Sequence, residues 1–133
     1  MKRLVRFFVS LFLLTAIAAC SSKQDLQPPF LHIDKKNINV GNLSKKTPVY
    51  HFKIPFRNSG GSELKILEIQ PSCFCTTVDF PKETFKRNQS GEIKVDFTTK
   101  DVSTQNGFMR ELLILSNATN DSLLVTLEGN ITD

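Results

Sequence analysis

The chain has 133 residues, with 17 Lys and Arg against 13 Asp and Glu, a formal net charge of +4, and three cysteines. That length suits one domain able to bury its own core, and so few cysteines exclude a disulfide-dense scaffold. Lys2, Arg3 and Arg6 stand at the very start, so residues 20–133 carry 14 basic side chains against 13 acidic ones; the basic footprint that nucleic-acid binding needs is missing.

Behind the basic start, Phe7 to Ala16 is apolar except for Ser10 and Thr15, and the run Ile17-Ala18-Ala19 leads directly into Cys20. A charged start, an apolar run and small residues before a cut site are the parts of a secretory signal peptide. The run is well short of the ~20 residues needed to span a bilayer. Ile17-Ala18-Ala19-Cys20 resembles the lipobox of bacterial lipoproteins. The resemblance implies that residues 1–19 are removed, that the Cys20 thiol carries a diacylglyceryl group, and that the new amine is acylated. Two or more acyl chains hold a protein stably at a membrane where one does not, so Cys20 reads as an anchor and the membrane as a partner. Ser21 follows it; in the sorting rule of some Gram-negative bacteria only Asp there strongly favours the inner membrane, which implies the outer membrane here.

Ser21 to Pro29 is polar and ends in two prolines, and reads as a tether, extended near its Pro-Pro end and with no pattern to pack. The domain is expected over residues 30–133. In it Tyr50, Phe52, Ile54 and Phe56 alternate with His51, Lys53, Pro55 and Arg57. Ile93, Val95 and Phe97 alternate with Glu92, Lys94 and Asp96, and Leu123, Val125, Leu127 and Ile131 close the chain in the same way. Period two is the mark of a half-buried strand. Within Glu63 to Gln70 the apolar positions change phase between Ile66 and Leu67, which predicts a bulge. Leu112 to Leu115 is continuously apolar, as for a strand covered on both faces. Pro55 cannot donate to a ladder and predicts an edge or an outward-pointing position. Turn residues fall at Asn58 to Ser62, Asn88 to Gly91, Asn106-Gly107 and Asn117 to Ser122, and no stretch shows helical periodicity. About seven short antiparallel strands predict an all-β, immunoglobulin-like sandwich, with a small β-barrel as the alternative.

The stretch Phe56-Arg57-Asn58-Ser59-Gly60-Gly61-Ser62-Glu63-Leu64-Lys65-Ile66, followed by Ser72-Cys73-Phe74-Cys75-Thr76, resembles the bacterial family known as domain of unknown function 1573. The family pattern runs F-x-N-x-G-x-x-x-L-x-I, then S-C-G-C-T. The resemblance covers about residues 30–132 and implies an exported, immunoglobulin-like lipoprotein without an assigned activity. Two departures stand out: Phe74 replaces the family's glycine between the cysteines, and Gln89-Ser90 replaces a Pro-Gly before Gly91.

Cys73-Phe74-Cys75 is the one constellation able to carry chemistry. On an extended strand over residues 73–79 the two thiols share a face with Cα atoms ~6.6 Å apart, at the upper end of what a disulfide spans. A bridge therefore needs a bent chain, which glycine would permit more readily than Phe74. Four readings stay open: a structural disulfide, two packed thiols, a soft-metal site for Cu(I) or zinc, or thiol exchange with a partner. Zinc would need four ligands, and only His32, His51 and Met109 could add donors. His51 should face solvent from its strand, and His32 should do the same. No nucleophile-bearing turn such as G-x-S-x-G appears, so neither a catalytic set nor a cofactor is expected. Asn42, Asn88, Asn117, Asn120 and Asn130 open N-x-S/T triplets that read as chance matches, and Asp121-Ser122-Leu123 resembles an O-glycosylation acceptor. The expected role is a non-catalytic binding or structural module for a protein or glycan partner.

Overall fold

A computed structural model describes residues 27–133. The expected signal peptide, the expected lipidation site Cys20 and most of the expected tether lie outside the described residues. Eight strands form: β1 (Leu31–His32), β2 (Asn37–Ser44), β3 (Val49–Asn58), β4 (Ile66–Pro71), β5 (Thr76–Asp79), β6 (Ser90–Thr98), β7 (Gln105–Ser116) and β8 (Ser122–Thr132). They make two four-stranded sheets, ordered β1-β3-β6-β5 and β2-β8-β7-β4. The protein is thus the expected two-sheet sandwich and not a closed barrel, and the described residues contain no helix.

The alternation explains the layers. Ile54, Phe56, Ile93, Val95 and Phe97 are buried from the first sheet, and Ile66, Ile69, Leu112, Ile114, Leu123, Val125, Leu127 and Ile131 from the second. The polar positions of the first sheet face outward, where His51 bonds Asp96 at 2.6 Å and Lys53 meets Glu92 at 2.9 Å. Pro55 lies where β3 has an open side, because β1 pairs with β3 only at Leu31–Asn58 and His32–Arg57. The phase change in β4 is a register shift between Ile66 and Glu68.

Three expectations need correction. First, β2 runs parallel to β8, so one pairing in the sandwich is not antiparallel. Second, Leu112 to Leu115 is not covered on both faces. Leu112 and Ile114 are fully buried, whereas Leu113 and Leu115 stay half-buried on the outer face. There Leu113 sits directly opposite the exposed Leu124 on β8, and this cross-strand pair shields itself without an overlying layer. Third, the end of the tether packs. Pro29 is buried and its carbonyl accepts from Thr119 N at 2.9 Å, while Pro28 O accepts from Gly61 N at 3.2 Å. Gly60 makes this docking possible, since a Cβ there would lie 2.2 Å from Pro28 O and 2.5 Å from Phe30 N.

Three asparagines extend the ladders with their side chains. Asn120 accepts from Leu31 N at 3.0 Å and donates to Leu31 O at 2.8 Å. Asn117 accepts from Lys65 N at 2.7 Å and donates to Glu63 O at 3.0 Å. Asn58 is fully buried and ties four backbone groups together. Asn130 likewise accepts from Gly107 N at 2.8 Å and donates to Asn42 Oδ1 at 2.7 Å, so three of the N-x-S/T triplets begin with amides already committed to the fold.

Candidate functional site

The chain crosses from the second sheet to the first between β4 and β5, and the cysteines lie in that crossover. The segment is a tight turn and not the expected extended strand. Thr76 N donates to Cys73 O at 3.1 Å, and β5 begins only at Thr76. Tertiary contacts impose the bend. Ser72 N donates to Glu111 O on β7 at 2.8 Å, and Thr98 N on β6 donates to Cys75 O at 2.8 Å. Each side of the turn is therefore tied to a different sheet, and the chain must reverse its lateral direction between them.

Bending brings the Cα atoms of Cys73 and Cys75 to 5.1 Å, and the two residues form a disulfide. Cys75 is buried against Leu43, Phe97, Phe108 and Ile131, with Cys73 packed beside this cluster. No glycine is required, because among the described non-glycine residues only Asn88 takes a positive φ. Phe74 instead projects from the tip of the turn with a relative exposure of 109%. A phenyl ring standing wholly in water is apolar surface left uncovered.

Next to the turn lies an open cavity of about 740 Å³, whose walls include the bridge, Phe74, Val102, Met109 and Arg110. The soft donor Met109 therefore shares a cavity with Cys73 and Cys75, while His32 and His51 stand elsewhere, bonded to Asp34 and Asp96. Among the described residues no three His, Cys, Asp or Glu side chains gather to hold a metal ion. The sequence reading missed Arg110. Its signal was available, since Arg110 falls in phase with the buried Phe108, Leu112 and Ile114 of the same strand.

The turn and the point where the chain joins the domain occupy opposite ends of the sandwich. Pro28 and Pro29 contact the loops after β3 and β7, beside Asn58. Val49, at the other end of the ten-residue β3, pairs with Thr98, the partner of Cys75. Ten residues of strand separate these ends by roughly 30 Å.

Because the bridge closes only three residues, it restricts the unfolded chain weakly. Replacing both cysteines by serine is expected to lower the unfolding free energy by about 1.5 kcal/mol. Urea denaturation checks this, with the fold retained; a loss above about 4 kcal/mol would show instead that the bridge holds the sandwich together.

Comparison with known proteins completes the picture. No curated protein sequence matches the chain. Among solved structures, a protein of unknown function from Porphyromonas gingivalis W83 matches with a TM-score of 0.69 and 11% identity, over 84% of this chain and 51% of that one. The chain therefore spans about half the length of that protein. The PapD-like domain 7 of human CEP192 matches at a TM-score of 0.59 and 9% identity, over 77% of this chain and 85% of the other. The YadV chaperone matches at 0.56 and 11%, over 77% and 52%. At such identities the likeness shows the immunoglobulin-like, PapD-like fold. A family model matches residues 31–131, nearly the whole sandwich, and the chain belongs to the family described as Protein of unknown function (DUF1573).

Proposed function

We propose that this chain is a non-catalytic, protein-binding module of the bacterial envelope, tethered to the outer membrane through acyl chains on Cys20. The observation that carries this reading is Phe74, wholly exposed on a turn held by a disulfide at the end of the domain opposite the tether. Binding surfaces concentrate their energy in a few aromatic anchors, and a rigid anchor loses little entropy on docking. A membrane anchor at one end leaves the other facing the compartment, within reach of a protein partner and away from the lipid. The fold is shared with the YadV chaperone, which supports a protein as the partner.

The test uses the full chain in native envelopes. A photocrosslinking benzoylphenylalanine at position 74 should yield a discrete adduct band that the same probe at Lys53, on the outer face of the first sheet, does not. Phe74→Ser should reduce co-purification of the adduct partner at least tenfold while thermal unfolding stays unchanged. Mass spectrometry should find the chain beginning at an acylated Cys20, and Cys20→Ala should release it from membranes. No discrete adduct, or an N-terminus at Met1 without fatty acid, would remove the proposal.

A further inference from the structure

Arg110 occupies a position where alternation calls for an apolar side chain. Phe108, Leu112 and Ile114, in phase with it on β7, are all buried. Arg110 itself is half-buried along the cavity wall. Its guanidinium lies 5.8 Å from the Phe108 ring centroid. Nη1 donates to Met109 O at 2.7 Å, while Nε is enclosed with no acceptor. Asp101 lines the same cavity, yet none of the ion pairs among the described residues involves Arg110.

Arg110 is half-buried with Nε enclosed and unused, which works against stability, and an apolar residue would satisfy the strand pattern better. Such a conflict between local pattern and residue type marks a place where function has overridden packing. An incoming group can reach only the Nη side of the guanidinium, because Nε is enclosed. Arginine presents a planar fork that matches the two oxygens of a carboxylate. Phe74, Val102, Met109 and the disulfide supply apolar walls beside it.

We propose that this cavity binds a carboxylate carried on an apolar segment of the protein partner. Arg110 takes the carboxylate, and Phe74, Val102 and Met109 flank the neighbouring apolar side chain. The inference rests on the protein-binding reading above and names the chemistry of the partner. A carboxylate fits better than a phosphate, because a single guanidinium beside Asp101 cannot balance a dianion.

Three short peptides and one ion test it on the full chain in detergent. The first peptide, acetylated and amidated, carries an internal Leu-Glu-Phe; the second has Gln in place of Glu. The third ends in Leu-Phe with a free carboxyl group, and the ion is inorganic phosphate. The Arg110 Nε–Hε resonance and the Met109 methyl resonance are followed by NMR. At least one carboxylate peptide should shift both, with at least tenfold tighter binding than the Gln peptide. Comparing the first and third tells a side-chain carboxylate from a chain-terminal one. Arg110→Met should abolish that preference while raising the thermal midpoint, a combination that a merely structural arginine would not give. Equal binding of the Glu and Gln peptides, no shift at millimolar peptide, or phosphate acting as strongly as peptide would overturn the inference. Unchanged crosslinking of a partner by Arg110→Met would likewise sink it, leaving the binding-module reading intact. Peptide binding without any crosslinked partner would do the reverse.

Discussion

Asn58→Ala is expected to lower the unfolding free energy by about 3 kcal/mol and the midpoint by roughly 15 °C. Asn58 is fully buried at the end of β3, and each atom of its amide is used. Nδ2 donates to Ser62 O at 2.7 Å and to Phe85 O at 2.8 Å. Oδ1 accepts from Gly60 N at 3.0 Å and Phe30 N at 3.3 Å. One side chain thereby joins the incoming segment, the loop after β3 and the segment before β6. Alanine would leave these groups without partners in a place water reaches poorly, and each buried orphan costs about 1–3 kcal/mol. Asn58→Asp separates hydrogen bonding from volume. It keeps the acceptors but sets an oxygen against two carbonyls, so it should be at least as damaging as alanine. Urea denaturation of both variants checks the idea; a loss under about 1 kcal/mol for either would contradict it.

Gly129→Ala is expected to cost about 2–3 kcal/mol through forced overpacking between β8 and β2. A Cβ at Gly129 would stand 2.4 Å from Gly41 O and 3.0 Å from Val40 Cγ2. The first of these is backbone and cannot swing aside, so the parallel pair would have to part. The contact lies at the register shift between Asn39 and Gly41, where β2 is already irregular. Hydrogen exchange should therefore accelerate in Asn37–Ser44 while the β4–β7 ladder keeps its protection. Gly41→Ala serves as the control: its φ of +73° is strained for alanine, but no atom lies within 4 Å of the added Cβ. That change should cost only about 1–2 kcal/mol. Unaltered exchange in β2 of the Gly129 variant would refute the steric argument.

The strands of the sandwich were legible because alternation is a local property. Ile54 and Phe56, Ile93 to Phe97, and Leu123 to Leu127 bury the faces their period assigns. The bulge in β4 and the open side beside Pro55 were legible for the same reason: a phase slip and a missing donor act where they occur. Leu113 and Leu115 misled, because a run of leucines carries no information on whether a second layer covers its outer face. The site was half legible. The cysteine pair stood out, yet its conformation did not, and Arg110 was read past although its phase already placed it among core residues.

By itself the sequence determined which short segments become strands and which side of each turns inward, since both follow from steric alternation along a few consecutive residues. Partner and direction belong to the tertiary structure. Asn42 of β2 pairs with Asn130 of β8, far along the chain, and nothing within either segment says that the two run parallel. The bend at Cys73–Cys75 has the same origin. Ser72 is tied to one sheet and Cys75 to the other, so the path of the chain between the layers, and not the preference of Phe74, closes the turn and lifts the ring into solvent.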